Sequence, residues 1–279
     1  MREIWIYDIE VYPNLFCVTF WDNQANDKRV FEISNRKNES VYLYSFLVNN
    51  SNKYLVGYNS INYDDKVLKK FIALMHINDP DFNTELFEYS KSIVNGTCTD
   101  SNYTKQPWNS IDLLLIHRFH KLGIGLKQVG VTLKCPKIQD LPYAYDKMLT
   151  EDEIDNVIAY NANDVFITYK LYKASLEEIN LREDIGQTYN VNVLNSSRTA
   201  IADKIVSKFI RDKTGYSYED LNSLKDTRES VAFKDIIIPI EFKSEELIKL
   251  YNKLLDYNTL NNKTDDDDTA IANFSFDNC

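Results

Sequence analysis

Two acids interrupt an otherwise apolar run at the start of the chain, Ile4-Trp5-Ile6-Tyr7-Asp8-Ile9-Glu10-Val11. A short run of β-branched and aromatic residues without Gly or Pro predicts a buried strand. In a strand, residues i and i+2 project from one face, so Asp8 and Glu10 would lie side by side where water is scarce. Two such anions need a cation; without one, a pKa is driven up or the strand is destabilised. An edge strand with a solvated outer face is the alternative for this motif taken alone, and the rest of the chain decides between them.

A second apolar run, Tyr54-Leu55-Val56-Gly57-Tyr58, leads into Asn59-Ser60-Ile61-Asn62-Tyr63-Asp64-Asp65 and then Val67, Leu68, Phe71 and Ile72 at helical spacing. The pattern predicts strand, turn and amphipathic helix, with Asp64 near the helix N-terminus. Alone, Asp64 reads equally as a capping or first-turn acid. Further on, Thr150-Glu151-Asp152-Glu153 has the form of a capping box and opens a long helix. Tyr160 and Asp164 stand four apart on it and share a face, toward which an apolar stripe of Ile154, Val157, Ile158 and Val165 extends. A carboxylate turned toward a core is costly unless it is paired or metal-bound.

In chain order, Asp8-x-Glu10, Asn59-x-x-x-Tyr63-Asp64 and Tyr160-x-x-x-Asp164 resemble the three motifs of the DEDD superfamily of 3′→5′ exonucleases, in the subgroup whose third motif carries tyrosine. The string Gly57-Tyr58-Asn59-Ser60-Ile61-Asn62-Tyr63-Asp64 resembles the second exonuclease motif of proofreading domains in family B DNA polymerases. Tyr160-Asn161-Ala162-Asn163-Asp164 resembles their third. The resemblance covers about residues 1 to 180, and Val11 departs from the Thr or Ala often found after the first pair. Asp65 directly follows Asp64; the spacing from Asn59 and Tyr63 favours Asp64 as the ligand.

The resemblance implies a ribonuclease H-like fold and two divalent ions, Mg2+ or Mn2+. Phosphodiester hydrolysis puts charge on attacking and leaving oxygens, which a metal pair stabilises together, and hard oxygen ligands suit these ions without His or Cys. By the same resemblance Asp8 bridges the ions, Glu10, Asp64 and Asp164 complete their sites, and Tyr160 positions the attacking water. Asn59 and Tyr63 would contact splayed nucleotides. The expected substrate is the 3′ end of single-stranded or frayed DNA, and the expected partner a polymerase domain or subunit. No palm motif of a polymerase is present. A free-standing DNA or RNA exonuclease and a catalytically silent module binding nucleic acid or a polymerase are the rival readings.

Net charge is −10, which at first sight opposes nucleic-acid binding. Between Asp112 and Asp140, however, there is no acid, while Arg118, Lys121, Lys127, Lys134 and Lys137 supply five positive charges. This stretch is the expected surface for phosphates, with Lys127 and Lys134 at its centre. The three histidines, His76, His117 and His120, and four unpaired cysteines lack zinc spacing. No apolar run is long enough to cross a bilayer and no signal-peptide pattern is present, so a cytoplasmic protein that does not engage membranes is expected.

The spacing predicts strands at 3–11, 15–21 and 29–34, a helix near 40–49, a strand at 54–58 and a helix from 63 to 75. Residues 78–110 read as an insertion or long loop, Ser110–Leu115 re-enters the core with Asp112 in a turn or cap role, and helices follow near 113–121, 126–134 and 151–181. The expectation is an α/β protein with a mixed β-sheet flanked by helices in residues 1–185, followed by a smaller, mainly helical extension in 186–279. The extension holds an amphipathic helix around Ile201, an extended segment at Ile236–Ile240, and an acidic tail at Asp265–Asp268 whose acids point in different directions and read as solvated.

Overall fold

The computed structural model describes residues 3–22, 24, 26–77, 82–98, 107–117, 122–224, 230–232, 242–255 and 258–260. The chain divides into two compact units, Met1–Phe209 and Ile210–Cys279. The first is built on a five-stranded mixed sheet: β1 (Ile4–Tyr12), β2 (Leu15–Asp22), β3 (Asp27–Ser34), β4 (Tyr54–Gly57) and β5 (Asn109–Asp112), in the order β3-β2-β1-β4-β5. β2 runs antiparallel to both β1 and β3, whereas β4 is parallel to β1 and β5 parallel to β4.

The apolar opening run becomes the central strand because both of its faces are covered. Trp5, Tyr7, Ile9 and Val11 enter one core with Phe16, Phe20, Leu43, Leu68 and Phe71, beneath α1 (Ser40–Asn49), α2 (Asp64–Ile77) and α3 (Phe82–Val94). Ile4 and Ile6 enter the other core, with Val56, Ile111, Ile116, Val129 and Val165. That core lies under α4 (Leu113–His117), α5 (Leu126–Thr132) and the long α6 (Glu151–Ala174). The period of two therefore puts Asp8 and Glu10 on the face that α6 crosses. Tyr12, on the same face, packs with Leu149, Ile154 and Val157.

The capping box at the start of α6 is formed as the sequence predicts: Glu153 N–H donates to Thr150 Oγ1 at 3.4 Å and Thr150 N–H to Glu153 Oε2 at 3.0 Å. Two expectations need correction. The segment 78–110, expected as an insertion or long loop, is not simply loop: it contains the 13-residue α3, because Leu86, Phe87 and Ser90 recur at helical spacing and bury one face against the first core. The helix expected over 151–181 is two helices, α6 and α7 (Leu176–Tyr189), separated at Ser175, whose buried hydroxyl donates back to the Leu171 carbonyl at 2.7 Å.

The unit boundary falls within α8 (Arg198–Thr214), so α7 and the first turns of α8 belong to the first unit. The described part of the second unit holds the end of α8, α9 (Tyr218–Ser223), α10 (Glu245–Leu255) and an antiparallel pair, β6 (Ser230–Ala232) with β7 (Asn258–Leu260). Ile236–Ile240 and the Asp265–Asp268 tail lie outside the described residues. No helix among the described residues is long and apolar enough to cross a membrane.

Candidate metal centre

On β1, Asp8 and Glu10 are paired across to Thr19 and Cys17 of β2, and α6 packs over both strands. This brings Asp164 down onto the pair. One carboxylate oxygen from each of Asp8, Glu10 and Asp164 lies within 4.8 Å of the others, with Asp8 and Glu10 half-buried and Asp164 buried. Asp164 Oδ1 is buried and has no hydrogen-bond partner among the described residues. Ionising a carboxylate with an oxygen in that state is costly, and a facing cation would offset the cost. The donor set is all carboxylate oxygen, which suits a hard divalent cation.

Asp64, the first residue of α2, is buried and lies outside that 4.8 Å group. It nevertheless acts on the group: after burial itself, the Asp64 charge is the largest influence raising the Asp8 carboxyl, ahead of Glu10 and Asp164. Glu10 is likewise held well above its ordinary range by burial and then by Asp164 and Asp64, with Lys127 opposing. Burial pushes Asp164 up to about 6 against the lowering effects of Tyr160 and Lys127. Burial disfavours the charged form of all four acids, Asp8, Glu10, Asp64 and Asp164, and a bound cation would offset that cost.

The adjacent acids Asp64 and Asp65 have separate tasks. Asp65 is buried and accepts from Tyr7 Oη at 2.8 Å, Trp108 Nε1 at 2.8 Å and Ser110 Oγ at 2.7 Å. It ties α2 to β1 and β5, and its lone pairs are committed to that network. Asp112, fully buried, is also structural: its carboxylate accepts from the N–H groups of Asn59, Ile61 and Leu114 at 3.0, 3.1 and 3.0 Å, closing the turn after β4 and opening α4. That is the turn and cap role expected of it.

The turn so closed is tight. Asn59 has φ +62°, a left-handed conformation that Asn tolerates better than most residues, and its side chain accepts from Asn62 Nδ2 at 2.9 Å. Gly57 is required by close approach, since a Cβ there would sit 2.6 Å from Ser60 Cβ. Tyr63 is half-buried against the first core, its hydroxyl 2.7 Å from Ser90 Oγ, so that its exposed ring portion is what remains for a ligand.

Tyr160 lies one turn before Asp164 on α6, buried, with its phenol raised by burial and by Asp164 so that it stays protonated. Of the basic stretch, Arg118 and Lys121 fall outside the described residues. Lys127 pairs with Asp140 at 2.8 Å and is also the cation whose field reaches Glu10 and Asp164. Lys134 is exposed just beyond α5, with φ +53°. His117 Nε2 is 2.7 Å from Ser175 Oγ, a structural contact between α4 and the α6–α7 junction; His120 lies outside the described residues.

Sequence reasoning missed one residue that touches the centre. Asn161, fully buried on α6, donates from Nδ2 to Asp8 Oδ2 at 2.7 Å across a separation of 153 residues. Its only sequence signal is its place between Tyr160 and Asp164. No family model matches the chain, and no curated protein matches it.

Proposed function

We propose that the chain is a metal-dependent 3′→5′ exonuclease of ribonuclease H-like fold, hydrolysing terminal phosphodiesters of single-stranded or frayed DNA, and that it serves a DNA polymerase as its proofreading part. The observation that carries this reading is the meeting of Asp8, Glu10 and Asp164 from β1 and α6, with Asp64 acting on them from α2. The sheet order, with β2 as the antiparallel strand beside a parallel β1-β4-β5 set, supports the fold assignment.

Asp8, Glu10, Asp64 and Asp164 would hold the ions. When bound, Mg2+ or Mn2+ supplies positive charge at the attacking and leaving oxygens and lowers the pKa of the attacking water. The chain does the remainder. Tyr160, kept neutral by its surroundings, directs its hydroxyl proton to Asp164, which leaves the phenol oxygen to accept from that water. Lys127 offsets part of the charge on Glu10 and Asp164 and would attract an incoming phosphate. Placing a terminal phosphate in the cleft requires separating the last base from its partner, which costs less at a mismatch, so frayed ends should be preferred.

The test is degradation of 5′-labelled single strands of DNA and of RNA with Mg2+, with Mn2+ and with chelator. The expected result is a ladder shortening from the 3′ end of DNA, abolished by chelator and reduced by several orders of magnitude in Asp8→Ala. Metal-independent cleavage, or full activity in folded Asp8→Ala, would remove the proposal. Equal rates on a paired blunt end and on a 3′ mismatch would remove its proofreading part.

A further inference from the structure

Asn161 is a polar side chain on a fully buried helix face. It is fully buried on the stripe of α6 that also carries Asp164, Val165 and Thr168. Its carboxamide has one hydrogen bond, from Nδ2 to Asp8 Oδ2 at 2.7 Å, while Oδ1 is buried without a partner among the described residues. An amide buried for one bond forfeits most of its hydration, a cost that its single hydrogen bond only partly offsets.

The carboxylate it holds stands among like charges. Asp64, Glu10 and Asp164 all act on Asp8, and the side-chain hydrogen bond that restrains it comes from Asn161. A carboxylate offers about four lone-pair directions, so engagement of one on Oδ2 leaves Oδ1 and the second Oδ2 direction for cations. We infer that Asn161 is the positioning residue of the metal centre: its Nδ2 fixes the rotamer of Asp8 so that the remaining lone pairs face the ions. The inference rests on the metal-dependent reading above.

Thr168 is the internal control. It lies two turns from Asn161 on the same face, is equally buried, and its Oγ1 also lacks a partner, yet it makes no hydrogen bond to Asp8. Mn2+ binding to the full chain, followed by spin resonance and by calorimetry without substrate, separates the two roles. In Asn161→Leu, Mn2+ affinity should weaken about 10- to 100-fold, with the fold in chelator checked by circular dichroism, since a methyl group replaces a donor that lies 2.7 Å from Asp8 Oδ2. Asn161→Ala should show the same loss of affinity and serves where the leucine does not fold. Thr168→Val should bind Mn2+ as the parent does. Parental affinity in folded Asn161→Leu or Asn161→Ala would overturn the inference while leaving the nuclease reading intact, and so would an equal loss in Thr168→Val, which would trace the effect to core packing. A parent chain that binds no Mn2+ would instead overturn the metal-dependent reading, and this inference with it.

Discussion

Replacing Asp64 and Asp65 one at a time should separate chemistry from folding at neighbouring positions. Asp65→Ala leaves three buried donors, on Tyr7, Trp108 and Ser110, with no acceptor. At about 1–3 kcal/mol for each orphaned group, and discounted because losses within one network do not add, the cost is about 3–5 kcal/mol. Against a total stability of about 5–15 kcal/mol, that is a fall in melting temperature of about 6–20 °C for a unit of this size. Asp65→Asn should cost only about 1 kcal/mol, since the amide oxygen can still accept from Tyr7 and Trp108 while the Ser110 hydroxyl turns to accept from Nδ2. Asp64→Asn behaves in the opposite way. It removes a charge that burial and Asp65 already disfavour, so the metal-free chain should melt no lower than the parent. Its nuclease rate should drop by at least about 100-fold with the loss of an ion ligand. Melting in chelator by near-ultraviolet circular dichroism, with strand degradation on the same samples, measures both. Asp65→Ala melting like the parent, or Asp64→Asn destabilised as much as Asp65→Ala, would refute this division of labour.

Tyr160→Phe should lower the exonuclease rate about 10- to 100-fold through loss of water placement while leaving Mn2+ affinity unchanged, which calorimetry checks. The metal-free chain should lose stability as pH rises. Asp164 is raised to about 6 in the folded state, so its contribution is fully present below the ordinary Asp value and is lost as pH climbs through about 6; Asp8, Glu10 and Asp64 are raised too and continue the slope upward. Added Mg2+ should therefore raise the melting temperature more at about pH 8 than at about pH 5, because it favours the ionised acids; a flat melting profile in chelator would contradict the crowding of these four groups. Gly57→Ala should destabilise by about 1–3 kcal/mol, since its Cβ would meet Ser60 Cβ at 2.6 Å and Tyr7 Cε1 at 3.1 Å; a denaturant midpoint equal to the parent's would show that the turn can move aside.

The local patterns were legible in the sequence wherever one period decided the outcome. The apolar run at Ile4–Val11, broken only by its two acids, determined a buried strand, and its period of two determined that Asp8 and Glu10 share a face. Thr150 and Glu153 determined where α6 starts, and the four-residue step from Tyr160 determined which face Asp164 takes. Only the tertiary structure decided matters that depend on what stands opposite a side chain. Asp64 and Asp65 are chemically identical and adjacent, but on the first turn of a helix they point about 100° apart, and the positions of Tyr7, Trp108 and Ser110 made Asp65 the structural one. The basic stretch read as one surface, yet Lys127 turns to Asp140 and toward the acids while Lys134 ends exposed past α5. Asn161 was illegible because its partner is 153 residues away: a helix period places the amide on the inner face, and only the crossing of α6 over β1 sets it against Asp8 rather than against an apolar neighbour.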